Sequence, residues 1–374
     1  MDGVGWGLGR LPVEAMVAVP IQDEAERIAR CLEALSQQRH APWFEAVLFI
    51  NNTTDATASV IRAMRPSLTF GVHVVEHDFP SALQSAGHAR RMAMAVALER
   101  APQGAALLCT DADGQVHPDW LAANLAHLRA GAEAVAGCAE IDPIEATAIP
   151  QSLHDADARE CAYADTLDEL DSLLDPDPAD PWPRHAEHSG ASICVTPDAF
   201  RRAGGIPAMP AGEDRAFFDA LRRVDARIRH ACDVRVTVSG RLHGRAKGGM
   251  ADTIRRRMQK PDDYLDDRLE PADVAWRRSS LRHATRAAQG SLGRLRSVLG
   301  GLCSDEELER HAGSSFGTLW AEVERSCPLL QRQRVAVADL PMHMARAAHL
   351  RDSVKRRARI ALPTMAQGAL AGGS

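Results

Sequence analysis

Lysine is almost missing from this chain. Lys247, Lys260 and Lys355 are the only three in 374 residues, and arginine supplies the rest of the positive charge. The skew reads as a genome-wide composition bias and carries no functional weight. The formal net charge of −6 gives no electrostatic reason to expect a nucleic-acid partner. Closely spaced cysteine pairs are missing as well. Cys31, Cys109, Cys138, Cys161, Cys194, Cys232, Cys303 and Cys327 are scattered and none forms a C-x-x-C pair, so neither a zinc knuckle nor a disulfide framework is indicated. Several sit in apolar runs, where free cysteine acts as a small hydrophobe, and a reducing compartment follows. No window approaches the length needed to span a bilayer. No basic segment leads into an apolar run near residue 1, so no signal peptide is read there. The expectation is a cytoplasmic protein.

What is present is an ordinary globular composition, 45% hydrophobic and 25% charged, in a length that suits one large or two modest domains. Gly3, Gly5, Gly7 and Gly9 do not make a dinucleotide loop, because no strand precedes them and a proline follows. Residues 1–12 read as a flexible leader. From there, apolar strands alternate with amphipathic helices. Strands are expected at Met16–Pro20, Ala46–Ile50, Val72–Val75, Ala105–Cys109 and Ala134–Cys138. Helices are expected at Asp23–Gln37, after Thr54 or Asp55, at Ser85–Arg100 and at Asp119–Ala130. This is the pattern of a mostly parallel α/β sheet, in which ligands bind beyond the carboxyl ends of the strands. The alternation breaks at Glu140. An irregular connection, a helix and a proline-punctuated loop from Asp175 to Pro183 precede Ser192–Val195, helices from Pro197 and Glu213, and a final strand pair over Ile228–Val238. Beyond residue 250 the pattern is helical. The expected organisation is therefore a leader (1–12), an α/β domain (13–249), a helical region (250–363) and a disordered tail (364–374).

The chemistry centres on Leu107-Leu-Cys-Thr-Asp111-Ala-Asp113-Gly114. Two aspartates two apart on extended backbone point the same way, and each raises the cost of ionising the other. A divalent cation compensates such a pair, and hard carboxylate oxygens suit Mg²⁺ or Mn²⁺. Taken alone, the segment reads equally as a solvated Asp-Gly turn.

Four further stretches accompany it: Val17-Ala-Val-Pro20-Ile-Gln22-Asp-Glu24, Asn51-Asn52-Thr-Thr-Asp55, Ala86-Gly-His-Ala-Arg90-Arg91, and Gly204-Gly205 followed by Gly212-Glu213-Asp214-Arg215. In this order and spacing the set resembles the family 2 glycosyltransferases of the GT-A fold, over roughly residues 13–245. The resemblance implies a Rossmann-like mixed, mostly parallel sheet flanked by helices. It implies a hexosyltransferase-type enzyme that moves a sugar from a UDP- or GDP-linked donor to a hydroxyl acceptor, mostly with inversion. Pro20, Gln22, Glu24, Asn51, Asn52, Arg90, Asp111, Asp113, Arg241 and Arg245 would then bind the nucleotide sugar. Asp113, with Asp111 and His243, would hold Mg²⁺ or Mn²⁺. Asp214 would be the general base, with Glu213 orienting it or the acceptor. Asparagine at 51 departs from the family's usual aspartate, accepting through an amide oxygen without adding charge, so the base stays open. Plainer readings exist for several of these residues: Asp55 as a helix cap, Arg90 as an exposed helix arginine, His243 as a surface histidine, and Glu213-Asp214 as acids favoured at a helix start.

Two other activities compete. The Asp111-Ala-Asp113 segment also resembles the nucleophile motif of haloacid-dehalogenase phosphatases, which need a downstream lysine and acid pair; Lys247, Lys260 and Asp262-Asp263 are the available candidates. A degenerate transferase that only binds nucleotide is the other. The helical region is expected to pack on the α/β domain, closing the acceptor side or forming a homodimer contact. The alternative is a helix lying on a membrane surface, since Met342–Leu362 mixes apolar residues with arginines.

Overall fold

The structure, a computed structural model, describes residues 12–244 and 248–368, with side chains through Arg357. Arg245, Lys247, residues 1–11 of the leader and residues 369–374 of the tail lie outside the described residues. Four strand–helix units come first. β1 (Ala15–Ile21) leads to α1 (Ile28–Ser36), β2 (Phe44–Asn51) to α2 (Thr57–Met64), and β3 (Gly71–His77) to α3 (Ala86–Arg100). β4 (Ala106–Cys109) leads through a two-residue β5 (Gln115–Val116) to α4 (Trp120–Arg129). Every residue of β2 and β4 is buried, and so is all of β1 except Pro20. Covered on both faces, these strands read as unbroken apolar runs instead of alternating ones. Next come β6 (Ala134–Ile141), α5 (Pro143–Ala146), the long α6 (Gln151–Leu174), β7 (Ile193–Val195), α7 (Pro197–Arg202), α8 (Glu213–Arg223) and β8 (Ile228–Val238).

The eight strands form one mixed sheet in the order β3-β2-β1-β4-β7-β6-β8-β5. β1, β2, β3 and β4 run parallel, as do β6 and β8. β7 runs antiparallel to both of its neighbours, β4 and β6. This is the mostly parallel sheet expected from the alternating pattern. One detail differs. Ile228–Val238 is a single long strand and not a pair, because its register against β6 jumps between Gly137 and Cys138, opposite a bulge in β8. The reversed β7 matters most for function. Ile193 pairs with Cys109, so the loop leading into β7 lies beside the carboxyl end of β4, where Asp111 and Asp113 follow.

After β8 the chain is helical: α9 (Met250–Gln259), α10 (Ala272–Ala288), α11 (Leu292–Leu299), α12 (Asp305–His311), α13 (Phe316–Ser326) and α14 (Leu340–Gly368). Leu299, Leu308, Phe316, Leu319 and Val323 pack chiefly on one another and on Trp320 and Leu330. The junction with the α/β part is made elsewhere. Tyr163 and Leu167 of α6 pack with Leu340, Met344 and Ala347 of α14. Asp225, at positive φ just after α8, accepts from the Phe316 and Gly317 N–H groups at 2.8 and 2.7 Å, satisfying donors that the start of α13 leaves open. Three basic side chains of α14 pair with acids: Arg346 with Asp273 on the exposed surface, and Arg351 and Lys355 with Glu169 of α6. Among the described residues no helix is long and apolar enough to cross a membrane.

Candidate active site

The carboxyl ends of β1, β2 and β4 open onto a cleft of about 1750 Å³. Pro20, Gln22, Glu24, Asn51, Arg90, Asp111, Asp113, Glu213, Asp214 and Arg241 all line it. The sequence motifs therefore meet at one place, although they span more than 200 residues of chain.

Arg90 is the hub of one half. Ser85 caps α3 by accepting from the His88 N–H, and the helix carries Arg90 inward to a buried position. Its guanidinium pairs with Asp111 Oδ1 at 2.6 Å and with Glu213. The reading of Arg90 as an exposed surface residue is thereby corrected: burial opposes its charge, and the two acids on either side offset that cost. Gly190, in the loop before β7, lies against the same guanidinium, and a Cβ there would sit 2.2 Å from Arg90 Cζ. Gly190 is glycine because the guanidinium fills the space a side chain would need. Sequence reasoning missed it, since one glycine in an irregular loop carries no signal.

Glu213 and Asp214 open α8 behind Gly212, which holds a positive φ. They differ in what they do there. Glu213 is buried and committed to Arg90; burial raises its pKa more than Arg90 lowers it. Asp214 is half-buried and accepts from the Gly190 N–H through Oδ2 at 3.0 Å and from the Arg215 N–H through Oδ1. Its carboxylate remains at the cleft wall, available to a bound hydroxyl.

Arg241 is the hub of the other half. It follows β8 and donates to Glu24 Oε2 and Oε1 at 2.8 and 2.6 Å, while its Nη2 lies 3.0 Å from Asp113 Oδ2. Asp113 has its carboxyl pushed up to about 6, by burial first and by Asp111 and Glu24 in addition, against the pull of Arg241. A second cation near Asp113 would stabilise its charged form. Among the described residues no three His, Cys, Asp or Glu side chains gather into a metal cage. The donor set thus fits Mg²⁺ or Mn²⁺ only as a cation shared between Asp113, with Asp111 beside it, and ligands brought by substrate or water. His243 is exposed and is not among the residues lining the cleft, so the structure does not bring it to the aspartates.

At the end of β2, Asn51 is 1% exposed, and both polar atoms of its amide are buried with no hydrogen-bond partner among the described residues. A buried amide left open at a cleft wall costs free energy unless a ligand meets it. Asn52 differs. Its amide clamps the Phe79 backbone, donating to the carbonyl at 2.9 Å and accepting from the N–H at 3.1 Å, so its side chain serves the loop after β3. Asp55 accepts from the Thr57 and Ala25 N–H groups, the expected capping role extended to fix the loop after β1. Among the described lysines and acids required by the phosphatase reading, Lys260 is an exposed surface residue paired with Asp263, and Asp262 is bound to Arg257. No such lysine reaches Asp111 among the described residues.

The family model for glycosyl transferase family 2 matches residues 16–171, the segment that carries β1 through α6 and both aspartates. The match covers less than half of the chain, and over that segment the chain is similar to glycosyl transferase family 2. The mixed, mostly parallel sheet flanked by helices is the architecture expected from the resemblance to the GT-A fold. No curated protein matches the sequence. Solved structures match at low identity. A mannosyltransferase from Pyrobaculum calidifontis, in complex with GDP-Man and Mn²⁺, is 17% identical, with 96% of this chain and 80% of that one covered at a TM-score of 0.45. TarS 1–349 of S. aureus in complex with UDP-GlcNAc is 16% identical, with 92% of each chain covered at 0.46. Glucosyl-3-phosphoglycerate synthase from Mycobacterium tuberculosis, in complex with Mn²⁺, UDP-glucose and phosphoglyceric acid, is 16% identical, with 59% of this chain and 69% of that one covered at a TM-score of 0.35.

Proposed function

We propose that the protein transfers a sugar from a nucleotide-sugar donor, UDP- or GDP-linked, to a hydroxyl acceptor with the help of a divalent cation. The observation that carries this reading is the meeting of Asp111 and Asp113 with Glu213 and Asp214 across one cleft, joined by Arg90. Asn51, with no partner for its amide among the described residues, offers a donor and an acceptor to a base, and Glu24 and Gln22 stand at the neighbouring strand end. Asp113, with Asp111, would hold Mg²⁺ or Mn²⁺. Bound there, the cation would neutralise charge on the departing diphosphate. Arg241, already at Asp113, adds a fixed positive charge on the same side.

On the acceptor side, Asp214 takes the proton from the attacking hydroxyl as the oxygen approaches the anomeric carbon. The Gly190 and Arg215 N–H groups hold its two oxygens in place. Glu213, locked to Arg90, positions α8 and is not free to accept that proton. A single base of this kind suits a single displacement with inversion. α6, α9 and α14 also contribute to the cleft wall, through residues such as Glu160, Ile254 and Met344, so the helical region shapes the acceptor end. A thermal-shift screen of UDP and GDP, with and without Mn²⁺, tests the reading: stabilisation that needs both nucleotide and metal, and that weakens in Asp113→Ala, is expected. Equal shifts with and without metal in both proteins would show the cation assignment to be wrong. Retention of anomeric configuration in fresh product, read by NMR, would rule out the single displacement.

A further inference from the structure

Arg241 joins three loops through one guanidinium. It grips Glu24, in the loop after β1, with both Nη atoms at 2.8 and 2.6 Å, and touches Asp113, beyond β4, at 3.0 Å. Its own loop is anchored where its backbone N–H donates to Ser239 Oγ, which in turn donates to Glu145 at 2.6 Å. Glu24 is 6% exposed, so its charge depends on this partner. Asp113 is held less firmly, by a single contact. That difference divides the two acids: Glu24 keeps the arginine in place, and Asp113 borrows its charge.

A guanidinium and a divalent cation on one carboxylate repel each other, strongly so where water is scarce. Asp113 therefore cannot serve both fully at once. A nucleoside diphosphate alters the balance, because phosphate oxygens match the arginine fork and draw it into paired hydrogen bonds. We propose that Arg241 is a resident counter-ion of Asp113 that competes with the divalent cation and releases the carboxylate when a nucleoside diphosphate binds, so that cation and nucleotide bind cooperatively. The proposal rests on the donor-site reading above. Coupling of this kind is reciprocal: if nucleotide strengthens cation binding, the cation strengthens nucleotide binding by the same factor.

The test is a titration of Mn²⁺ into the full-length protein, with free Mn²⁺ counted by electron paramagnetic resonance. Without nucleotide, wild type should bind Mn²⁺ weakly and Arg241→Gln about tenfold more tightly, the lower end of what an adjacent opposite charge does to a carboxylate. Arg241→Lys, which keeps the charge, should stay near wild type. The gain should vanish in Asp113→Asn/Arg241→Gln. With UDP or GDP bound, wild type should tighten and the gap to Arg241→Gln should close. Should Arg241→Gln leave Glu24 too costly to bury, Glu24→Gln/Arg241→Gln removes the orphaned charge and is read in the same way. An Mn²⁺ affinity no higher in these variants than in wild type, with nucleotide binding intact, overturns the role of Arg241 alone. A gap that persists unchanged with nucleotide bound overturns the coupling. Absence of UDP and GDP binding in every protein overturns the donor-site reading and the coupling with it.

Discussion

Arg90 and Glu213 form a buried ion pair across 123 residues of chain. Both side chains are less than a tenth exposed, and Asp111 completes the group from a third element. The pair ties α3 to the start of α8, the two helices that face each other across the end of β4. Removing one member leaves the other charge buried without its partner. Arg90→Ala should therefore cost about 3–5 kcal/mol of stability, seen as a large fall in Tm. It should also release Asp111 and Asp214 from their common frame and abolish turnover. An unchanged Tm would mean that the pair is not formed in solution.

Asp214→Asn separates chemistry from binding. Asparagine keeps the shape and, through its one amide oxygen, one of the two contacts from the Gly190 and Arg215 N–H groups, but cannot take a proton. Turnover should fall by about 10²–10⁴-fold, the usual scale for general acid–base catalysis, with the loss in kcat and with donor binding kept. Glu213→Gln should instead lower stability, because it weakens the Arg90 pair. A near-normal rate for Asp214→Asn would move the base to another group.

The junction between α6 and α10 should be sensitive to acid. Asp175 accepts from Arg282 at 2.6 Å and from Arg286 at 3.1 Å. Burial opposes its charge, but hydrogen bonding and attraction from Arg286 and Arg282 outweigh it, and its pKa is held below the ordinary carboxylate value. Asp171, paired with Arg184 and Arg282, is shifted the same way. A depressed pKa means that the stabilisation is complete above the unfolded value, about 3.9, and is lost as pH falls through the folded one. Asp175→Asn should lower Tm at neutral pH, and the gap to wild type should shrink below about pH 4. A gap that stays constant on acidification would remove Asp175 from the account.

How far the sequence shows this site depends on how local each signal is. β1, β2 and β4 are legible because both faces are covered, so each is a plain apolar run. The Asp111-Ala-Asp113 segment and Glu213-Asp214 behind Gly212 are legible because strand end and helix start are written in adjacent residues. The pairings are not. Nothing near Arg90 announces Glu213, and nothing near Arg241 announces Glu24. β7 is three residues long after a proline-rich loop, and its reversal, which brings Gly190 to Arg90, is set by the sheet and not by its own residues. The bulge in β8 is similarly invisible, because a register jump against β6 leaves the apolar pattern of Ile228–Val238 looking like two strands.

The last prediction concerns what the helical region does for the rest of the chain. Tyr163 of α6 is fully buried, and its hydroxyl donates to the Glu270 carbonyl at 2.7 Å. Leu340 and Ala347 of α14 and Leu265 share its cluster, so much of what covers α6 comes from beyond residue 250. The same helix presents Asp171 and Asp175 to Arg282 and Arg286 of α10. Truncation after residue 249 would strip both coverings at once, exposing an apolar face, leaving Asp175 without its arginines and Asp171 with Arg184 alone. Exposed patches of that kind promote association. The truncated protein should therefore aggregate or bind a hydrophobic dye, whereas full-length protein should not. Tyr163→Phe in the full chain isolates the smaller part of the effect: it removes one hydrogen bond while keeping the ring, and should cost about 1 kcal/mol. Tyr163→Ala should cost about 3–5 kcal/mol by analogy with other buried aromatics. A soluble truncated monomer with full turnover would show that the helices are an appendage, and strong binding of the full-length protein to anionic vesicles would turn α14 outward to a membrane surface instead.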